Sequence, residues 1–356
     1  MLAKESKIRV LIVDDSAIVR RMLSDTLSRE PDLEVVGTAP DPLIAREKIK
    51  RLKPDVLTLD IEMPRMDGLT FLKQLMQESP MPVVMISSLV QSSSRSAVEA
   101  MQYGAVEVVP KPGGPYSVAD LRASLPHKIR AAARARIRPM VPVTAVPVAR
   151  VKMPLTEISG ARHGHSLIAM GASTGGTEAL RQVLMELPAD SPPIVIVQHI
   201  PTVFSRAFAE RLDSCCQIRV KEAADGDEIR PGWALVAPGN FHLSVRRTPT
   251  GYRAAIGTGP MVCYQRPAVD VLFDSVAEHA GGNATGVILT GMGSDGAQGL
   301  LKMRAAGART IGQDEESCVV FGMPKEAIRI HAVQEIHPLH RIAHALSTLR
   351  AHAAPL

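Results

Sequence analysis

Over the first 133 residues, short β-branched and aliphatic runs alternate with longer amphipathic stretches, and that alternation admits few folds. The runs are Ile8 to Val13, Leu33 to Gly37, Val56 to Leu59, Val83 to Ile86 and Val106 to Val109. Helical candidates lie between and after them, at Ala17 to Arg29, Pro42 to Arg51, Gly68 to Gln77, Ser94 to Tyr103 and Ser117 to Ala133. Continuous apolar runs suit strands covered on both faces, and strict alternation with helices gives parallel crossovers. The expectation is a doubly wound parallel α/β sheet. An aromatic content of 3% beside 46% hydrophobic residues fits an aliphatic core of that kind.

The pattern stops after Arg134, where Pro139, Pro142, Pro147 and Pro154 punctuate a segment of Arg, Ala and Val. Such a stretch reads as an extended, charged linker. Order resumes at Ser166 with a strand at Leu167 to Met170, a helix at Gly176 to Leu187, a strand at Ile194 to Gln198 and a helix at Thr202 to Asp213. Turn signals then crowd Ile218 to Ile256 (Asp225-Gly226, Pro231-Gly232, Pro238-Gly239-Asn240, Thr250-Gly251), which predicts short antiparallel strands. A helix at Val269 to Ala280, a strand at Gly286 to Leu289 and a helix at Ala297 to Ala306 give a second α/β core. The 356 residues therefore divide into a domain at 1–133, a linker at 134–165 and a domain at 166–356 with an antiparallel insertion.

The net charge of +5 and pI near 9.1 come largely from His127 to Lys152 and argue about association rather than fold. The half after Ser166 offers no helix-turn-helix or basic recognition helix, so a nucleic-acid partner is not expected. Cys215, Cys216, Cys263 and Cys318 lack metal-binding spacing, and the adjacent pair reads as packing. His163 and His165 read as incidentally exposed linker residues. No run approaches the roughly 20 apolar residues of a membrane span, and Met1 to Lys7 is short and charged. A cytoplasmic protein without membrane insertion is expected.

Polar residues stand at the strand ends. Asp14 and Asp15 follow the first run, Asp60 ends the third, Ser87 ends the fourth, and Lys111 follows the fifth, before Pro112. In a parallel sheet those ends share one edge, where ligands bind. Converging carboxylates repel unless a cation intervenes, and an all-oxygen site with a phosphate nearby suits Mg²⁺. Asp60 is then a candidate nucleophile toward a phosphoryl donor, with Asp14, Asp15 and Asp60 around the metal and Ser87 and Lys111 on the phosphoryl oxygens. Singly, these residues read as helix caps and solvated charges.

From Lys7 to Ala133 the chain resembles response-regulator receiver domains, which are flavodoxin-like. The resemblance rests on Val13-Asp14-Asp15-Ser16, Asp60-Ile61-Glu62-Met63-Pro64, Asp67-Gly68, Ser87-Ser88 and Lys111-Pro112. It implies that Asp60 accepts a phosphoryl group from a histidine kinase. Receivers commonly carry an aromatic switch residue three positions before the lysine; this chain has Val108.

A second set of polar residues follows the strands of the other half. Gly171-Ala172-Ser173-Thr174-Gly175-Gly176 joins a strand to a helix and fits G-x-S-x-G, a turn that exposes a serine; alone it also admits a plain turn or a phosphate cradle, although it lacks the Walker lysine and the full dinucleotide fingerprint. His199 follows Ile194 to Gln198, and Asp295 lies in Gly291-Met292-Gly293-Ser294-Asp295-Gly296 after another strand. Alone, His199 reads as a loop residue and Asp295 as a turn residue. Together they supply what a weak serine nucleophile needs, an imidazole to take its proton and a carboxylate to fix the imidazole. Backbone N–H groups at Met292 and Thr174 are candidate oxyanion donors, although Met292 also fits core packing. The order Ser, His, Asp along the chain differs from that of α/β-hydrolases.

The region from Ser166 to Leu349 resembles the catalytic domain of chemotaxis protein-glutamate methylesterases. The matching stretches are Gly171 to Thr177, Gln198-His199-Ile200-Pro201, Ala237 to Asn240 with His242, Arg266-Pro267 with Asp270, Leu289 to Ala297, Gly312 to Asp314 and Gly322 to Pro324. Gln265 stands where the family often has His. The resemblance implies Ser173 as nucleophile, His199 as base and then acid, and Asp295 as orienting carboxylate. It further implies hydrolysis of glutamate γ-methyl esters on the cytoplasmic helices of methyl-accepting chemoreceptors, glutamine deamidation there, and no cofactor for the ester step. An unphosphorylated receiver would block the active site until Asp60 is phosphorylated. The alternatives are a phospho-regulated serine hydrolase of another signalling pathway and a receiver-linked DNA-binding regulator.

Overall fold

The computed structural model describes residues 7–88, 91–113, 117–137 and 166–347. Their contacts separate into two compact units, one on each side of the proline-rich segment. Residues 138–165 of the expected linker, His163 and His165 among them, lie outside the described residues.

The first unit runs β1 (Ile8–Val13), α1 (Ala17–Leu27), β2 (Leu33–Ala39), α2 (Pro42–Leu52), β3 (Val56–Asp60), α3 (Gly68–Glu78), β4 (Val83–Ser87), α4 (Gln91–Gln102), β5 (Glu107–Pro110) and α5 (Val118–Ala133). All five strands pair in parallel in the order β2-β1-β3-β4-β5. β3 and β4 are buried along their whole length, as strands covered on both faces must be. The helices begin where side chains replace missing acceptors: Ser16 caps α1, Asp41 caps α2, Asp67 caps α3, and Ser117 with Asp120 closes a capping box on α5. Strand order reverses between β1 and β3, so the crevice at their carboxyl ends is the topological switch point.

The second unit contains β6 (Leu167–Ala172), α6 (Gly176–Met185), β7 (Ile194–Gln198), α7 (Thr202–Cys215), β8 (Arg219–Glu222), β9 (Glu228–Ile229), β10 (Trp233–Val236), β11 (His242–Thr248), β12 (Gly251–Gly257), α8 (Val269–His279), β13 (Ala284–Ile288), α9 (Ala297–Ala305), β14 (Arg309–Gln313), α10 (Met323–Arg329), β15 (Glu335–His337) and α11 (Leu339–Ser347). Seven of these strands form a parallel sheet in the order β15-β14-β13-β6-β7-β10-β8.

One sequence expectation needs correction. The stretch from Ile218 to Ile256 is not antiparallel throughout: β8 and β10 extend the main parallel sheet, and only β11, β12 and β9 make a small antiparallel one. Turn signals are local and do not say whether a strand pairs with its neighbour in sequence or with β7 across the fold. The buried Ala234, Leu235 and Val236 give β10 the character of an interior strand. The helical and strand pattern also continues past Ala306, where β14, α10, β15 and α11 form.

Helix α8 lies over β6 and β13, with Val269, Leu272, Phe273 and Val276 buried in a cluster that includes Leu167, Ala169, Ile288 and Leu300. A Cβ at Gly171 would stand 2.2 Å from a Val269 methyl. The missing side chain lets the start of α8 press against the end of β6, and this brings the helix N-terminus to the site.

Candidate active site and phospho-acceptor site

In the second sheet Ala172 of β6 pairs in register with Gln198 of β7, and Ser173 and His199 are the next residues on these adjacent strands. Neighbouring strands lie about 4.8 Å apart, so the two backbones leave the sheet side by side. The ladder continues beyond the strands: His199 N donates to Ala172 O at 3.1 Å, and Ser173 N donates to Thr290 O, just past β13, at 3.0 Å. Ser173, Thr174 and His199 are all buried.

Three small residues allow the turn around the serine. Gly175 has φ of +76°, a left-handed conformation suited to glycine, and Gly176 N donates to Ser173 O as α6 begins. A Cβ on Gly291 would come within 2.7 Å of the Ser173 Cβ, so only a bare backbone fits there. Thr290 Oγ1 donates to Thr174 O at 3.0 Å and accepts from Val320 N at 3.0 Å, tying the serine turn to the loop that bears Asp295.

His199 Nε2 lies 2.7 Å from Asp295 Oδ2. That carboxylate is 2% exposed and also accepts backbone N–H groups at the start of α8, from Val269 at 2.7 Å and Asp270 at 2.9 Å. A helix N-terminus with two N–H donors stabilises a buried anion. The other imidazole nitrogen, Nδ1, is buried and has no protein partner among the described residues. Met292 is partly buried, and its N–H meets no protein acceptor among the described residues.

The matching stretches also hold residues whose contacts the sequence leaves open. Gln198 is buried, and its Nε2 donates to Ser173 O at 2.9 Å and His199 O at 3.2 Å, bridging the two backbones. Gln313 Oε1, at the end of the adjacent strand β14, accepts Thr290 N at 2.8 Å. His242 Nδ1 accepts Ala268 N at 3.2 Å, and the Arg266 guanidinium donates to Asn240 Oδ1 and to the carbonyls of Thr258 and Gly259. The motif that holds Gln198 was legible, but the role of its amide depends on strand register. Gln265 pairs its backbone with Val262 in both directions within the loop leading to Arg266.

In the first unit Asp14, Asp15 and Asp60 converge, each offering an oxygen within 4.8 Å of the others. Asp14 and Asp60 are fully buried and Asp15 is exposed. Lys111 Nζ reaches Asp60 Oδ2 at 2.7 Å and Asp14 Oδ2 at 3.1 Å, although Asp14 Oδ2 receives no well-directed hydrogen bond. Burial pushes the Asp60 carboxyl up to about 6 against the pull of Lys111, and Asp14 is raised by burial as well. Two buried carboxylates facing one ammonium leave negative charge uncompensated, and with Asp15 at the mouth these acidic residues fit a cation. Ser87 is buried at the end of β4, and Lys111 N donates to Ser87 O at 2.7 Å. Gly68 lets α3 start against the Asp60 carbonyl, where a Cβ would overlap. Val108 is buried in β5, paired with Met85.

Residues 168–346 match the family model described as CheB methylesterase, and residues 10–122 match the response regulator receiver domain. The protein-glutamate methylesterase/protein-glutamine glutaminase 2 of Syntrophus aciditrophicus is 57% identical over 339 residues, covering 95% of this chain and 98% of that relative. A protein of the same description from Cupriavidus pinatubonensis is 52% identical, covering 94% of each. Among solved structures, the catalytic domain of Thermotoga maritima CheB methylesterase aligns with a TM-score of 0.51 and 39% identity, covering 52% of this chain and 98% of that one.

Proposed function

Because the chain belongs to the CheB methylesterase family and carries a response-regulator receiver domain ahead of the esterase region, we propose that Ser173, His199 and Asp295 hydrolyse glutamate γ-methyl esters on chemoreceptors under control of phosphorylation at Asp60. The protein is a chemotaxis response regulator with methylesterase and glutamine deamidase activity. The observation that carries the site assignment is the 2.7 Å contact of His199 with Asp295 beside Ser173, at adjacent strand ends.

The Ser173 hydroxyl attacks the ester carbonyl and gives its proton to His199. Nε2 is occupied by Asp295, so Nδ1 is the nitrogen that takes it. Asp295, held by Val269 and Asp270 N–H, offsets the imidazolium charge. The backbone N–H groups of Met292 and Thr174 serve the developing oxyanion; one such donor contributes roughly 10²- to 10³-fold in rate. His199 returns the proton to the departing methanol, and water then releases glutamate from the acyl-enzyme. A glutamine amide passes through the same kind of tetrahedral intermediate, with ammonia as leaving group.

Residues 1–133 form the receiver, 134–165 the linker and 166–356 the esterase in this reading. A histidine kinase supplies the phosphoryl group to Asp60, and the substrates are the cytoplasmic helices of methyl-accepting receptors. Asp14, Asp15 and Asp60 would hold Mg²⁺, which supplies charge neutralisation for phosphoryl transfer. Lys111 and Ser87 stabilise the new phosphoryl oxygens. The ester step uses side chains and backbone N–H groups, and no described helix is long and apolar enough to cross a membrane. The esterase match over residues 168–346 does not favour a DNA-binding output.

Methylated receptor membranes are expected to release methanol on addition of the protein, faster with a small phosphodonor. Ser173→Ala should release none, and Asp60→Asn should keep basal release and lose the phosphodonor response. Methanol release by Ser173→Ala at the parent rate would overturn the site assignment.

A further inference from the structure

Asp270 sits one residue inside α8 and meets the catalytic carboxylate in two ways. Its backbone N–H donates to Asp295 Oδ1 at 2.9 Å, and its side chain offers an oxygen within 4.8 Å of one on Asp295. The side chain is itself fixed, because Asp270 Oδ1 accepts Gly299 N at 2.7 Å from α9. Gly299 has no Cβ, and one there would stand 3.1 Å from the Asp270 Cα, so α8 and α9 close tightly around this carboxyl.

Two acidic groups share this site, and no lysine or arginine pairs with either among the described residues. Asp274, one turn further along α8, is paired with Lys302 of α9 at 2.5 Å. The other titratable groups around α8's N-terminus are His199 on Asp295, His242 of β11 accepting from Ala268 N, and the Cys263 thiol, whose sulfur lies within the same 4.8 Å grouping. Each is neutral or shared with Asp295. The charge on Asp270 therefore acts on the His199–Asp295 pair from a half-buried position beside Asp295.

From this juxtaposition we infer that Asp270 is a positioning residue with an electrostatic role: its main chain orients Asp295, and its ionised side chain raises the proton affinity of His199. The inference rests on the reading of Ser173, His199 and Asp295 as the catalytic set. Burial and the neighbouring Asp295 hold Asp270 at about 6. Its charge is thus present at neutral pH and leaves as the medium turns acid, in the range where His199 must be neutral to act as base.

The sign follows directly. Removing the negative charge makes an imidazolium at His199 less favourable, so the acid limb of kcat/KM should move to lower pH. Asp270→Asn keeps an acceptor for Gly299 N and removes the charge; Asp270→Ala removes both. The expected result for Asp270→Asn is an acid limb shifted down by about one unit, the low end of the effect of a charge a few ångströms away. Its thermal midpoint should stay near that of the parent, whereas Asp270→Ala should lower both midpoint and kcat.

The His199 ring titration, followed by NMR in Ser173→Ala with and without Asp270→Asn, reads the same shift without turnover. Superposable titrations in the two backgrounds would overturn the role of the charge. Retained activity in Ser173→Ala would instead strike at the catalytic assignment beneath it. A purely structural Asp270 would lower the midpoint in both variants and leave the titration unmoved.

Discussion

His199 turns its Nε2, not its Nδ1, to Asp295, at 2.7 Å, and leaves Nδ1 without a protein partner among the described residues. In the arrangement of chymotrypsin-like proteases the carboxylate accepts a hydrogen bond from Nδ1–H and Nε2 serves the serine. Here the imidazole is reversed, because the carboxylate arrives on a loop after β13 and is pinned by α8, while the serine stands on the strand beside the histidine.

Asp295→Asn tests this arrangement. The substitution keeps the shape and places an amide opposite Nε2, so the imidazole is held in the wrong tautomer. Methanol release should fall by about 10⁴-fold in kcat, the scale seen when a triad carboxylate becomes an amide. The measurement is steady-state release from methylated membranes, and a loss smaller than tenfold would show that Asp295 is not the orienting group.

Gln198→Ala removes the amide that bridges the Ser173 and His199 carbonyls. Two buried acceptors lose a donor, at a cost of about 1–3 kcal/mol in stability. Because the bridge joins the proposed nucleophile and base, kcat should drop while KM changes little. Denaturant midpoints and Michaelis curves on the same variant separate the two effects.

The receiver should respond to pH in a defined direction. The folded Asp60 carboxyl, at about 6, lies above its ordinary 3.8, so the folded state holds a proton that the unfolded chain has released. Stability is therefore greatest below about 4 and is lost as pH rises to about 6, by at most about 3 kcal/mol from this group. Asp60→Asn removes that loss and should raise the receiver's unfolding midpoint at pH 7.5, the gain vanishing near pH 3.5. A lower midpoint for the variant at pH 7.5 would mean that the Lys111 pair outweighs the burial of the charge.

Millimolar Mg²⁺ should raise the same midpoint, since a ligand held only by the folded state stabilises it by about 1.4 kcal/mol at ten times its dissociation constant. Asp15→Asn should weaken the response, and chelation should abolish the acceleration of methanol release by a phosphodonor. Calorimetry with and without Mg²⁺ reads the first effect directly.

Much of this molecule was legible as sequence because its information is local. Ile8 to Val13 and Ile194 to Gln198 are strands as the apolar runs predict, and the five receiver helices begin within a few residues of their expected starts. Asp14, Asp60, Ser87, Lys111, Ser173, His199 and Asp295 each follow or end a strand, and parallel pairing alone then gathers each set at one sheet edge.

Tertiary structure decided what depends on register and on main-chain donors. The turn signals on either side do not say that β10 joins β7 in parallel while β11 folds back on β12. The backbone N–H groups of Val269 and Asp270 hold Asp295 only because Gly171 lacks a side chain and admits α8. Likewise, which imidazole nitrogen faces Asp295 follows from the loop's approach and not from residue type. Residue order specifies which side chains stand at the strand ends; long-range pairing and close backbone approach specify how they face one another.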